Sequence, residues 1–242
     1  HHIVLISKPP APSVVDQITE FIRRSSKSYT VCLVGSDNLA LPDNAKLTTT
    51  LKDAAATAVT NSKGLEALPA VQRAPVAGSY VRGLYSGGTL AAEAQVVFLS
   101  HGQPVLSNAP VPGAGLFTSE RTNHIMIDLG DDRFTRGRPH PMIDPAVRDE
   151  PICAALSDPD VGAVLLDVVI GFGAHADPAG HLAGLLDRHG RSGSVVIASV
   201  TGTDEDPQVR ARQVSVLERA GVVVAPSNAD AAELALACLN VG

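Results

Sequence analysis

The alternation of short apolar runs with helical stretches over residues 80–239 is the feature that most constrains the fold. Candidate strands occupy 80–85, 104–107, 124–128, 162–170, 194–200 and 222–225. The helical stretches between and after them lie at about 88–101, 145–157, 178–190, 205–220 and 228–239. Strands and helices that alternate at this spacing pair in parallel through right-handed crossovers. The pattern therefore predicts a doubly wound α/β domain with a parallel sheet.

A shorter alternation precedes this region and has two candidate strands, each followed by a helical stretch. Two strands that need covering on both faces make a poor independent domain. Residues 1–62 are therefore predicted to be the C-terminal half of a first α/β domain, with more chain ahead of it. Residues 63–78 contain two prolines and no sustained periodicity. They are predicted to be a linker to a second, doubly wound α/β domain at 79–242.

Composition excludes several function classes. The net charge of −6 gives no electrostatic signature for nucleic acid, and no apolar run is long enough to suggest a membrane span. We therefore expect a cytoplasmic protein. Cys32, Cys153 and Cys238 are far apart and have apolar neighbours, which favours buried free thiols. His175 and His181 are too far apart for a helical metal pair, so no metal site is predicted.

In a doubly wound sheet, ligands bind in the loops that follow the strands. The first such loop is Ser86, Gly87, Gly88 and Thr89, at the start of an alanine-rich helix. Free backbone N–H groups and the positive end of a helix dipole attract anions, and glycine lets a phosphate approach closely. These four residues are candidate phosphate ligands. The alternative is a tight turn capped by Ser86 or Thr89.

The second loop, residues 128–145, is rich in charge and also stiff. Pro139, Pro141 and Pro145 reduce the conformational freedom of the loop, as expected if Arg138 and His140 must point at a ligand. An arginine suits a carboxylate or phosphate, and a histidine can donate or accept a proton. The alternative is a solvated loop whose acids and arginines pair with one another.

The third loop follows the strand candidate 162–170. Gly171, Gly173 and Ala176 fit the dinucleotide pattern G-x-G-x-x-A, but no acidic residue ends the next strand. We therefore interpret this segment as a glycine-rich loop beside Asp167 and His175 rather than as a dinucleotide site. In the following loop, which carries "TGTDEDPQ", the acids suit a helix start.

Five segments together resemble the FdrA family, whose members are similar to the succinyl-CoA synthetase α subunit. They are "SKPPAP" (7–12), "GLYSGGTLAAEA" (83–94), "IDLGDDRFTRGRPHPMIDP" (127–145), "VLLDVVIGFGAHADP" (164–178) and "VTGTDEDPQ" (200–208). The resemblance runs from about residue 3 to residue 239. It implies flavodoxin-like, succinyl-CoA synthetase-type domains, and it implies that family members have more chain ahead of "SKPP".

In succinyl-CoA synthetases, "S-G-T" at a helix start receives a phosphoryl group and a "G-G-D" loop precedes the next helix. Ser86, Gly88 and Thr89 match the first motif, and Gly130 with Asp131 matches the second. Those enzymes also carry an active histidine in a "G-H-A-G-A" loop after a late strand. The corresponding segment here is "TGTDEDPQ", which has no histidine. The resemblance therefore implies phosphate binding without a phosphohistidine relay.

FdrA-like proteins are also connected to oxamate carbamoyltransferase of allantoin and purine breakdown, which interconverts oxalurate plus phosphate with oxamate plus carbamoyl phosphate. The resemblance thus implies that residues 86–89 hold the phosphoryl end, Arg138 pairs with the substrate carboxylate, and His140 polarises the carbamoyl carbonyl or moves a proton. Gly130, Asp131, Asp167, Gly171 and Gly173 would form the supporting loops.

Two other functions remain open at the level of sequence. One is an acyl-CoA ligase, for which CoA or a nucleotide is the candidate cofactor; the other is a non-catalytic assembly subunit. If the chain is a carbamoyltransferase or an acyl-CoA ligase, it is an enzyme subunit with a small-molecule substrate. Under all three functions we expect other protein subunits and an oligomer.

Overall fold

The computed structural model describes residues 2–36, 38–60, 76, 78–119, 122–190 and 193–239. Within these residues the chain forms a three-stranded sheet and a seven-stranded sheet. Every strand pair in both sheets is parallel. The predicted α/β class with parallel, flavodoxin-like sheets is confirmed.

The first sheet has the strand order β1-β2-β3. Its elements are β1 (His2–Ser7), α1 (Pro12–Arg24), β2 (Ser28–Leu33), β3 (Ala45–Thr48) and α2 (Leu51–Thr60). Ile18 and Ile22 of α1 pack against apolar residues of β1 and β2, including Leu5 and Val31. Pro12 stands in the first turn of α1, where the amide hydrogen that proline lacks would have no helical partner.

The second sheet begins with β4 (Tyr80–Tyr85), α3 (Gly88–Ser100), β5 (Val105–Ser107), β6 (Gly115–Leu116), β7 (His124–Asp128) and the short α4 (Asp132–Thr135). A 3₁₀ turn at Pro145–Arg148 leads into α5 (Asp149–Ser157) and β8 (Val161–Val169). The remaining elements are α6 (Pro178–His189), β9 (Val195–Thr201), α7 (Arg210–Arg219), β10 (Val223–Ala225) and α8 (Asn228–Leu239).

Helices cover both faces of the seven-stranded sheet. α3 and α8 pack on one face, in a core that includes Tyr85, Phe98 and Met126. The helices α5, α6 and α7 pack on the other face, in a core that includes Leu166 and Leu217. The strand β8, which lies between β9 and β4, reads "VGAVLLDVV" and is almost entirely buried, as expected for a parallel strand covered on both sides.

The two sheets meet across α2 and α3. Cys32, Val34 and Ala54 from the first sheet's unit pack against Ala92 of α3 in one small apolar cluster. Beside it, the buried carboxylate of Glu93 accepts the backbone N–H groups of Leu51 and Lys52 at 2.7 and 3.2 Å. Glu93 therefore caps the N-terminus of α2 from the neighbouring unit.

The sequence pattern missed β3, β6 and α4. The strand β3 reads "AKLT" and β6 has two residues, so neither has the apolar, β-branched run that marks a strand. The first unit consequently has three strands rather than two. The region predicted as one helix at 145–157 is a 3₁₀ turn followed by α5.

The helix predicted from about residue 205 begins at Arg210. The Asp206 carboxylate accepts the Thr203 backbone N–H at 2.6 Å, which holds residues 203–206 in a turn before the helix. Most of the predicted linker, residues 63–75 and 77, lies outside the described residues. The domain boundaries at 62 and 79 stay predictions.

Candidate functional site

The strand order of the large sheet places three loops at one point. The order is β10-β9-β8-β4-β7-β5-β6, so β4 is the position from which the chain builds the sheet outward in both directions. The loops that follow β4, β7 and β8 therefore open at the same edge. In sheets of this kind, the crevice at such a reversal is the place where ligands bind. The three loops singled out in the sequence are these three.

The start of α3 has no side-chain cap. Gly87 is the N-cap residue and α3 begins at Gly88. Ser86 is nearly fully buried and does not cap the helix; its hydroxyl donates to Asp167 at 2.7 Å and its backbone N–H donates to the same carboxylate at 2.8 Å. The first amide groups of α3 have no acceptor inside the helix, so they are free to bind an anion.

Asp167 anchors this turn from the end of β8. It is fully buried, and besides the two Ser86 bonds it pairs with the guanidinium of Arg148 at 2.8 Å. The same Arg148 nitrogen donates to the Asp167 carbonyl at 2.9 Å. Ser86 is thus held in place by a carboxylate whose charge is balanced by Arg148. Sequence reasoning named Asp167 but missed Arg148, which carries no motif that distinguishes it from a helix-surface arginine.

Asp128 ends β7 directly beside the start of α3. Asn108 fixes it by accepting the Asp128 N–H at 2.8 Å and donating to the Asp128 carbonyl at 3.0 Å. A Cβ atom placed on Gly88 would lie 2.5 Å from the Asp128 Oδ2. Burial raises the pKa of the Asp128 carboxyl above its ordinary value, while the N–H of Gly130 and the charge of Lys8 act in the opposite direction.

Gly130 lets His140 approach the α3 turn. A Cβ atom on Gly130 would lie 2.5 Å from the His140 Nε2 and 2.6 Å from the Ser86 carbonyl oxygen. The Nδ1 atom of His140 accepts the backbone N–H of Met142 at 3.3 Å. In the neutral imidazole the proton is then on Nε2, the atom that faces the turn. Met142 itself lies against the turn, with its Cε 3.3 Å from a Cβ placed on Gly87.

Asp131 has a local structural role. Its carboxylate caps α4 by accepting the Arg133 N–H at 3.0 Å, and this bond together with the Arg133 side chain lowers its pKa. Arg133 also donates to the Asn108 carbonyl at 3.1 Å. This pair agrees with the solvated-loop alternative, in which the acids and arginines of the loop bind one another.

Arg138 does not follow that alternative. Its side chain is exposed and forms no ion pair with any residue in the described part of the chain. Its backbone N–H donates to the Thr135 carbonyl at 2.9 Å, which closes the loop just before Pro139 and His140. The structure therefore leaves Arg138 as an unpaired cation two residues from His140, without a direct contact to the α3 turn.

Hydrogen bonds from the loop that follows β9 hold the 171–175 loop in place. The side chain of the buried Gln208 accepts the Gly171 N–H at 3.1 Å and donates to the carbonyls of Gly171 and His175 at 3.0 and 3.1 Å. Gly171 and Gly173 have φ angles of +140° and +85°, which glycine adopts without strain. The His175 N–H binds the Met142 carbonyl at 2.8 Å, so this loop supports the 128–145 loop.

Lys8 reaches the site from the first sheet. It follows β1, and a Cβ atom on Gly88 would overlap its Nζ. Sequence reasoning quoted "SKPPAP" but gave Lys8 no role, because nothing local indicates that the end of β1 meets the start of α3.

Other features of the described residues do not compete with this site. A cavity of about 480 Å³ lies near the start of β9 and is bordered by Asp187 and Arg219, away from the three loops. Within the described ranges, no group of three histidine, cysteine or acidic side chains is arranged to hold a metal ion. None of the helices described there is long and apolar enough to cross a lipid bilayer.

A protein family and a curated relative match the chain over the site. The CoA-ligase family matches residues 84–238, a range that contains all three loops. The uncharacterized protein YahF of Escherichia coli (strain K12) is 34% identical over 256 aligned positions, which cover 96% of this chain and 49% of YahF. The chain thus spans about half the length of this curated relative.

Solved structures give weaker matches. The dinucleotide forming acetyl-coenzyme A synthetase 1 of Ca. Korarchaeum cryptofilum, in complex with phosphate and ADP, has a TM-score of 0.46 and 14% identity over 98% of this chain and 64% of that chain. The protein PH0766 from Pyrococcus horikoshii OT3 has a TM-score of 0.38 and 12% identity over 98% and 63%. At these TM-scores neither likeness bears on the chemistry of the site.

Proposed function

Because this chain belongs to the CoA-ligase family, we propose that it binds the phosphoryl group of an acyl phosphate at the N-terminus of α3 and transfers the acyl group. The observation that carries the proposal is the uncapped start of α3 at the reversal point of the sheet. Ser86 is turned away to Asp167, so the free amide groups of the helix are left for a ligand.

The acyl phosphate that we propose is carbamoyl phosphate, with oxamate as the acceptor, as the FdrA resemblance implies. The amide nitrogen of oxamate attacks the carbamoyl carbon, and the bond from that carbon to the phosphate oxygen breaks. Oxalurate and inorganic phosphate form, and the departing phosphate takes up the proton that the attacking nitrogen loses. The reaction requires an anion site for phosphate and stabilisation of the tetrahedral oxyanion, and it requires no phosphohistidine.

The orientation of His140 supports one of its two possible roles. Its Nδ1 is occupied by the Met142 N–H, so neutral His140 presents an Nε2–H donor toward the α3 turn. A donor at this place polarises the carbamoyl carbonyl and stabilises the developing oxyanion. His140 acts in this proposal as an electrophile rather than as the base that removes the amide proton.

Arg138 is proposed to bind the carboxylate of oxamate or oxalurate. It is exposed and unpaired among the described residues, and the stiff Pro139 joins it to His140. Replacing Arg138 with Ala should raise the KM for oxamate about tenfold or more, since an arginine–carboxylate bond is charge-assisted, and should leave phosphate binding nearly unchanged. Initial-rate kinetics and a phosphate titration separate the two effects. Equal loss of both affinities would contradict the assignment.

The second candidate is an acyl-CoA synthetase that uses CoA and a nucleotide. The family match supports this type of activity at the level of the family. The loop after β9 holds Asp206 and Gln208 in a turn and contains no histidine that could carry phosphate. A ligase reading therefore needs a phosphate carrier other than a histidine in that loop.

One assay separates the candidates. The protein is incubated with carbamoyl phosphate and oxamate, and separately with acetate or succinate, CoA and ATP, and phosphate, oxalurate and acyl-CoA are measured. Oxalurate formed together with an equal amount of phosphate supports carbamoyl transfer. Acyl-CoA formed only with nucleotide supports the ligase. Absence of both products, together with absence of binding to any of these ligands, supports the assembly subunit and contradicts an active site at α3.

A further inference from the structure

We propose that Lys8, from the first sheet, is a ligand-binding residue of the α3 site, so that the bound phosphoryl group contacts both sheets of the protein. This inference rests on the proposed function and adds to it a residue and a binding mode. The site would then be incomplete in the seven-stranded sheet alone, even though all three of its loops belong to that sheet.

The position of Lys8 carries the inference. Its Nζ occupies the space that a Cβ on Gly88 would take, at the first residue of α3. An anion bound to the first amide groups of α3 would therefore lie within reach of the ammonium group. Lys8 is exposed and makes no ion pair within 4 Å in the described ranges of the chain, so its charge is available.

The surrounding charges require such a cation. The carboxylates of Asp128 and Asp131 lie near the same place, and Lys8 lowers the pKa of both through its charge. Two acidic groups beside a helix start would repel a phosphoryl group. A lysine beside them offsets that repulsion, which the helix dipole alone, with about half a unit charge, would not.

The chain fixes Lys8 in this place in two ways. Pro9 and Pro10 follow it and restrict the backbone at the end of β1. The unit that carries β1 is docked on α3 through the apolar cluster of Cys32, Val34 and Ala54 with Ala92, and through the Glu93 cap of α2. The backbone from which the Lys8 side chain extends is therefore held beside α3 by a packed interface.

The inference is tested by titrating inorganic phosphate and carbamoyl phosphate into the whole chain by calorimetry. Lys8→Gln should weaken both ligands about tenfold, because a charge-assisted contact is lost, and Lys8→Arg should restore most of the affinity. The matched control is Lys27→Gln, an exposed lysine before β2 whose loss should leave the affinity unchanged. Circular dichroism of each variant verifies that the fold is kept.

The outcomes distinguish this inference from the proposed function. If the unmodified chain binds phosphate and Lys8→Gln binds it equally well, Lys8 is not a ligand and the α3 site stands without it. If the unmodified chain binds neither phosphate nor carbamoyl phosphate, the proposed function itself is contradicted. Equal weakening by Lys8→Gln and Lys27→Gln would indicate a general effect of net charge and would also overturn the role of Lys8.

Discussion

Gly88 shows how a single residue type shapes the site. A side chain at this position would overlap the Lys8 ammonium and come within 2.5 Å of the Asp128 carboxylate. Gly88→Ala should therefore displace both groups and weaken phosphate binding about tenfold or more, although alanine favours the helix itself. Gly184→Ala on α6 is the matched control, since its Cβ would meet only the flexible Arg188. Equal phosphate affinity in Gly88→Ala and the native chain would contradict the site.

Asp128 predicts a pH dependence. Burial raises its folded-state pKa above the ordinary value of 3.8, so its contribution to stability is fully present below that value and is lost as the pH rises through the folded-state pKa. Asp128→Asn should remove this loss. The stability of the variant relative to the native chain should therefore increase with pH.

Urea unfolding at several pH values measures this difference. Asparagine keeps an oxygen that can accept the Gly130 N–H, so the comparison isolates the charge. Asp132→Asn on the exposed surface of α4 serves as the control. If the difference in unfolding free energy between Asp128→Asn and the native chain does not change with pH, burial does not disfavour the charged form of Asp128.

At the scale of elements, the ends of β4 and β8 are held together by the buried pair of Asp167 and Arg148. Arg148→Met should destabilise the protein by about 3–5 kcal/mol, because it leaves a buried carboxylate without its cation. Asp167→Asn in the same chain should recover part of the loss. The exposed Arg212→Met is the control, with a change within about 0.5 kcal/mol. Urea unfolding tests both, and a small effect of Arg148→Met alone would contradict the described pair.

The elements were largely predictable from sequence because the seven-stranded sheet is buried on both faces. Each of its longer strands reads as an apolar run, and the glycine, aspartate and proline residues between them mark the loops. The short β3 and β6 have no such signal; β3 forms beside β2 and β6 beside β5. The direction of the Ser86 hydroxyl could not be predicted from sequence either, because it depends on Asp167, which is distant in the chain.

The whole molecule is organised by the junction between its two sheets. The Glu93 carboxylate of α3 caps α2 of the first unit, and Asn228 of α8 donates to it at 2.8 Å. Glu93→Ala should destabilise α2 by about 1–2 kcal/mol through loss of the cap. Compared with the native chain, amide hydrogen exchange in Glu93→Ala should accelerate more at 51–60 than at 228–239. Glu218→Ala, exposed on α7, is the control, and an unchanged exchange rate at 51–60 in Glu93→Ala would contradict the coupling.

The composition of the site also belongs to this scale. The shared position of the loops at 86–89, 128–145 and 171–175 could be predicted from sequence because each loop follows a predicted strand of one parallel sheet. Lys8 and Arg148 could not, since Lys8 depends on how the two sheets dock and Arg148 on how the 3₁₀ turn packs under β4 and β8. Long-range packing of this kind leaves no local pattern in the chain.

The most direct test of the α3 site is hydrogen–deuterium exchange of the chain with and without carbamoyl phosphate at saturation. An anion bound to the first amide groups of α3 gives them an acceptor, so exchange in the segment 86–91 should become slower, with smaller protection around Lys8 and His140. Inorganic phosphate should protect the same segment. Unchanged exchange at 86–91 under saturating ligand, or protection confined to another part of the chain, would contradict binding at the start of α3.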